Sequence, residues 1–337
     1  GQAETDRLLA GELSATIDAE RSEDVVEVAE FDLSTALLDL EAAGQLAKRD
    51  SQLTVNARLA DLAPFAAGFS GPLSVTGTIG KGDQTSLSLD LDATGPGGAR
   101  ASLTGSVEPD LSQADLSATG AAPLGLANRF IQPRSLAGTA GFDLRIAGPL
   151  TLQNLTGRIT TSEARLAAPE LGVALGNISG NVALAGGEAV VTLQGNVDGG
   201  GRLAVSGPVG LSSPNQAQLQ INLSRVRLSD PRLYETSVDG QIRINGPLAG
   251  GAAITGALTL GQTDIRIPES GFGGAADVPE IIHLNEPPPV RSTRRRAGLL
   301  DGKGGSGSGT RGPVYTLDIR VDAPNRIFVR GRGLDSE

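Results

Sequence analysis

The feature that most constrains this chain is a period-two alternation of apolar and polar residues that recurs along its length. Leu87, Leu89 and Leu91 alternate with Ser88, Asp90 and Asp92, and Leu219, Ile221 and Leu223 alternate with Gln218, Gln220 and Asn222. Ile242 and Ile244 stand between Gln241, Arg243 and Asn245, and Leu317, Ile319 and Val321 between Asp318, Arg320 and Asp322. Side chains of a strand point to opposite faces in turn, so strict alternation gives one apolar and one wet face. Gly186-Gly187, the run Gly199–Gly201 and Ser213-Pro214-Asn215 are turn signals between such stretches. Their spacing, about 8–12 residues, reads as short antiparallel strands joined by tight turns. The fold class expected is all-β, with few short helices.

An internal echo supports a repeat. RIAGPL (145–150) returns as RINGPL (243–248), and LTGRIT (155–160) as ITGALT (254–259). Weaker copies of the Gly-Pro ending are SGPL (70–73) and SGPV (206–209). Gly-Pro suits the end of a strand, because Pro has no N–H for the ladder and Gly permits the turn. Repeated strand units imply an elongated sheet in which each unit contacts mainly its neighbours. About 25 strands stacked at roughly 4.8 Å would run on the order of 120 Å. Helix signals are confined to Ala57–Phe69 and to Leu124–Ile131, the latter stopped by Pro133; Ser34–Lys48 is read as strand because its neighbours are strands.

Composition narrows the function. Aromatic residues make up 3% of the chain and Cys, Met and Trp are absent, so the apolar surface comes from Leu, Val, Ile and Ala. That suits a thin, extended sheet better than a thick globule, which draws on large aromatic side chains. The net charge of −10 argues against nucleic acid as a partner and against adhesion to anionic membrane surfaces. Without Cys there is no disulfide or thiolate metal site. No apolar run reaches the roughly 20 residues of a membrane-spanning helix, and no signal peptide is visible. The chain reads as an internal piece of a longer protein.

Catalytic motifs are nearly empty, and the chain is expected not to be an enzyme. His283 is the only histidine, and no G-x-S-x-G elbow accompanies it. Asp90 and Asp92 fall on the polar side of a strand, where solvation explains them. Gly302, Gly304 and Gly307 satisfy G-x-G-x-x-G in spacing alone, with no strand before and no helix after. Lys303 precedes Gly304 rather than Ser or Thr, so the phosphate-loop reading fails. No cofactor or metal is expected. Residues 271–313, with a Pro triplet, an Arg cluster and a Gly/Ser tract, cannot bury a core and read as a mobile loop. Within it, Arg291, Arg294, Arg295 and Arg296 are candidate contacts for an anionic lipid head group or an acidic partner, the plainer reading being a solvated loop.

The apolar stripes allow two arrangements: a closed sandwich in which they pack on a second sheet, or an open trough that holds acyl chains. Candidate lining residues are Leu87, Leu89, Leu91, Val191, Leu193, Leu203, Val205, Leu219, Ile221, Leu223, Ile242, Ile244, Leu317, Ile319 and Val321.

The C-terminal stretch YTLDIRVDAPNRIFVRGRGLDSE (315–337) resembles the conserved C-terminal domain of the TamB family, with APNRIFVRGRGLD (323–335) its most specific part. SDPRLYETSVDGQIRINGPL (229–248) and VPEIIHLNEPPPVRSTRRR (278–296) carry the same resemblance. RLADLAPFAAGFSGPLSVTGTI (58–79) and LANRFIQPRSLAGTAGFDLRIAGPL (126–150) look like the family's repeating blocks. The resemblance implies N-terminal strands over 1–52, repeated trough blocks over 53–270, the loop 271–313 and the start of the C-terminal TamB domain over 314–337. It further implies an AsmA-like, bridge-type lipid-transfer protein: a curved sheet folded lengthwise like a taco, in the periplasm of a Gram-negative bacterium. An N-terminal helix outside this chain would anchor it to the inner membrane. The partners implied are phospholipid acyl chains and an outer-membrane β-barrel assembly protein (TamA-like). The function implied is a periplasm-spanning phospholipid conduit. The alternatives are a scaffold for outer-membrane protein (autotransporter) assembly and secretion, and a structural β-solenoid spacer. The family offers no catalytic residues to carry over.

Overall fold

The computed structural model describes residues 12–22, 25–47, 51–66, 68–81, 86–230, 232–248, 250–267, 289, 290, 292, 315–331 and 334–336. Most of the loop expected over 271–313 lies outside the described residues, and so do Arg291, Arg294, Arg295, Arg296, His283 and the Gly302–Gly307 tract.

The described residues form one sheet of twenty strands. In chain order they are β1 (Ser14–Ser22), β2 (Val25–Ser34), β3 (Leu38–Ala47), β4 (Gln52–Leu59), β5 (Leu73–Lys81), β6 (Leu87–Gly95) and β7 (Ala99–Val107). Then come β8 (Ala114–Pro123), β9 (Ser135–Ala137), β10 (Thr139–Gly148), β11 (Leu155–Ala168), β12 (Val173–Ala185), β13 (Glu188–Val197) and β14 (Arg202–Gly210). The last are β15 (Gln216–Asp230), β16 (Tyr234–Pro247), β17 (Ala253–Arg266), β18 (Thr316–Asp322), β19 (Ile327–Gly331) and β20 (Leu334–Ser336).

Each strand through β8 pairs antiparallel with the next in sequence, β8 pairs with β10, and the ladder continues from β10 to β17. β9 extends the line of β10 along β11. β18 and β19 lie end to end, both parallel to β17, and β20 closes a hairpin on β19. With β9 in line with β10 and β18 with β19, the ladder is about 80 Å long at roughly 4.8 Å per strand. This is shorter than the expected 120 Å, because the strands are longer and fewer than the turn spacing suggested: β11, β16 and β17 have 14 residues each and β15 has 15.

The sheet curls along its length into an open trough. Since all described strands belong to one sheet, there is no second layer of the kind a sandwich requires. Burial reflects this. The buried apolar residues are mostly small, such as Ala164, Ala217 and Ala252, and no large side chain is fully buried among the described residues.

Two helical readings resolve differently. Leu124–Ile131 is helical, as a 3-10 turn (Leu124–Ala127) running into one α-turn, α1 (Asn128–Ile131). Ala57–Phe69 is not a helix: β4 runs to Leu59, and the following residues make turns. The competing signal is Asp61, whose Oδ1 accepts the N–H groups of Gly71 (2.8 Å) and Ala63 (3.1 Å). It ties the ends of the loop together instead of capping a helix. Ser34–Lys48 is strand as expected, β3 filling most of it. The loop reaches across to α1, where the Phe69 and Phe130 ring centroids are 5.9 Å apart.

The hydrogen bonds from Gly71 and then Ala63 hold the Asp61 carboxyl below its ordinary range. A depressed folded-state value means its contribution is fully present above the unfolded value and lost as pH falls through the folded one. Protection of the Gly71 and Ala63 amides, measured against their intrinsic exchange rates at each pH, is expected to fall on such acidification, and Asp61→Ala to give the same loss of protection at neutral pH. Unchanged exchange in the variant would contradict this role.

Candidate functional site: the apolar trough

The register decides which residues share the trough. Leu193 pairs with Val205, Val205 with Ile221, Ile221 with Ile242, Ile242 with Gly256 and Gly256 with Ile319. Parallel rows run from Leu219 through Ile244 and Ile254 to Leu317, and from Leu203 through Leu223, Gly240 and Leu258 to Val321. On the N-terminal side, Leu91 leads through Leu103, Ala118, Leu144, Gly157 and Leu184 to Ala189, which shares its face with Val191 and Leu193. Directly paired residues point to the same side of a sheet. All fifteen candidates therefore lie on one face. Leu87, Val321 and Leu317 are exposed, at 37%, 55% and 70%, and the other twelve are half-buried.

Across β2–β17 this face carries charge only at strand tips, at Lys81 and Asp230. A polar pair sits inside it, Thr236 and Thr263, both buried, whose hydroxyl oxygens are 2.8 Å apart and satisfy each other. The opposite face is mostly polar, with Val190 its exposed large apolar residue. The Arg145 guanidinium makes two bonds to the Asp115 carboxylate, at 3.0 and 2.8 Å. Asn222 Oδ1 accepts from Gln241 (3.1 Å) and Gln220 (3.3 Å), the residues just before Ile242 and Ile221.

The trough face carries a set of glycines whose backbone is closed to other residues. Gly77, Gly105, Gly157, Gly180, Gly207 and Gly240 have φ between +130° and +152°. In register, Gly77 faces Leu91, Gly180 faces Leu193 and Gly240 faces Leu258. At Gly180 a Cβ would stand 2.1 Å from the Thr192 carbonyl oxygen, and at Gly77 equally close to that of Asp90. That backbone conformation belongs essentially to glycine, and glycine within a strand marks a tight bend or close approach. The signal lay in the sequence as apolar-x-Gly-x-apolar: VTGTI (75–79), LTGSV (103–107), LTGRI (155–159), ISGNV (178–182), VDGQI (238–242). It is easily read as turn punctuation, and the Gly-Pro copies show why. Gly148-Pro149 and Gly246-Pro247 do fall at strand ends, but Gly71-Pro72 precedes β5 and Gly207-Pro208 sits inside β14. There the pairing with β15 skips from Ser206 to Val209, since Pro208 has no N–H to give.

A long single sheet, curled around an apolar face that no second sheet covers among the described residues, defines an elongated β-trough protein. Residues 191–337, from within β13 through β20, match the family model of the TamB C-terminal domain, and that part of the chain carries the domain. The match associates this part of the chain with the envelope-associated translocation and assembly module family. No curated relative and no solved structure matches the chain. Among the described residues no helix is long and apolar enough to cross a membrane.

Proposed function

We propose that the trough is a non-catalytic conduit for phospholipid acyl chains across the periplasm, between inner and outer membranes, working with an outer-membrane β-barrel assembly partner. The observation that carries this reading is the apolar face itself: it runs from strand to strand, and among the described residues no second sheet covers it. Each methylene kept from water contributes about 0.8 kcal/mol, so an acyl tail crossing an aqueous space gains at every step along such a face. Apolar contacts are non-directional, and a tail slides along them without breaking specific hydrogen bonds.

Native mass spectrometry with lipid extraction, on the chain purified from a Gram-negative host, tests the proposal. Co-purified phospholipid is the expected result. A lipid-free chain that captures outer-membrane polypeptides would instead support an assembly scaffold. The observation favouring that second reading is β18, where Leu317 and Val321 are exposed on a strand paired on one side to β17. Such an edge offers backbone groups to a client strand.

A further inference from the structure

A second site lies on the polar outer face, away from the trough. A concavity of about 980 Å³ opens beside the turn between β13 and β14. Arg202, Arg225 and Arg227 line it, together with Asn196, Ser224 and Ser237, and no carboxylate does. In a chain of net charge −10 this is a local gathering of positive charge, with Asp239 and Glu235 at its border.

The local backbone brings the three arginines to one concavity. β15 carries a bulge between Leu223 and Val226, so Ser224 and Arg225 both turn to the outer face. Bulges commonly serve to re-aim a side chain. Arg225 has a left-handed φ of +48°, a costly conformation for a residue other than glycine. It is held there by the Asp239 carboxylate, which accepts its backbone N–H at 2.8 Å. The glycine turn then closes onto the bulge. Gly201 lies so near that a Cβ would meet the Arg225 carbonyl at 2.2 Å, and Gly200 accepts the Arg227 N–H at 3.0 Å. Arg202 follows directly. Arg227 has Glu235 only at 3.9 Å, and the Arg202 and Arg225 side chains have no ion pair among the described residues.

We infer that this basin binds a phosphate ester. Guanidinium groups present several N–H donors in a planar fork, and three of them suit a tetrahedral oxyanion that accepts on several oxygens. The volume lies near the top of the range of about 300–1,000 Å³ typical of sites for organic ligands, so the anion carries a substituent. The ester is either a lipid head group or a soluble metabolite, and both present the same chemistry to the arginines.

Calorimetric titration of the whole chain with glycerol 3-phosphate tests the site. Binding is expected, and Arg202→Gln combined with Arg225→Gln is expected to weaken it at least about tenfold. Both side chains are exposed, so circular dichroism and the thermal midpoint should stay as in the parent. Arg158→Gln, on the outer face of β11, should bind as the parent does. Parent affinity weaker than about 10 mM, or an unchanged affinity in the double variant, overturns the inference. Flotation with phosphatidylglycerol vesicles then names the source. Vesicle binding lost in the double variant supports a lipid head group, and ester binding without vesicle binding supports a soluble ester. Neither result depends on whether the trough holds acyl chains.

Discussion

Gly180→Val is expected to destabilise the sheet by about 2–5 kcal/mol, combining the cost of a left-handed backbone for a side-chain-bearing residue with that of forced overpacking. The new Cβ would stand 2.1 Å from the Thr192 carbonyl oxygen, and that oxygen belongs to the ladder between β12 and β13, so relief means breaking pairing. Gly186 is the control. It has φ +59° in a two-residue turn, and a Cβ there meets nothing within 4 Å. Gly186→Asn is expected to cost less than about 1 kcal/mol, since Asn tolerates the left-handed region. Urea midpoints measured side by side distinguish the two. Equal losses at both positions would mean that the trough-face glycines are ordinary turn formers.

The second large effect concerns transport. Ile221→Asp is expected to lower lipid transfer by at least about a hundredfold, taking about 3 kcal/mol for an aspartate among acyl chains. Ile221 sits in the middle of the row from Leu193 to Ile319 and between the rows through Leu219 and Leu223, so a carboxylate there puts charge at the centre of the apolar path. The fold should survive, because Ile221 is half-buried and a new carboxylate keeps access to water. Gln220→Asp puts the same charge one residue away on the opposite face and should leave transfer unchanged. Normal transfer by a folded Ile221→Asp chain would contradict the conduit.

Much of this was legible in the sequence. Alternation at 87–92 and 218–223 fixed strand identity and facing within each strand, because the period of side-chain direction is two. What alternation cannot give is register, and only register shows that Leu91 and Ile319, many strands apart, share a face. The glycine set was in the sequence but disguised, because glycine at Gly77 or Gly180 occupies an apolar-parity position while looking like a turn signal. The strands are fewer than about 25 because β11 and β15 to β17 run for 14 or 15 residues, longer than the spacing of the turn signals implies. The loop after β4 looked helical by composition, until the Asp61 bonds to Gly71 and Ala63 closed it into turns. The basin of Arg202, Arg225 and Arg227 was not legible at all: its members belong to two strands, and a bulge brings them together.

The conduit is tested most directly by a photo-crosslinking residue placed in turn at 221 and at 220, in cells with labelled phospholipid. Position 221 is expected to capture phospholipid and position 220 to capture none, since they point to opposite faces of β15. Equal capture at both positions, or capture of polypeptide alone at 221, would contradict the account of the trough as a lipid path.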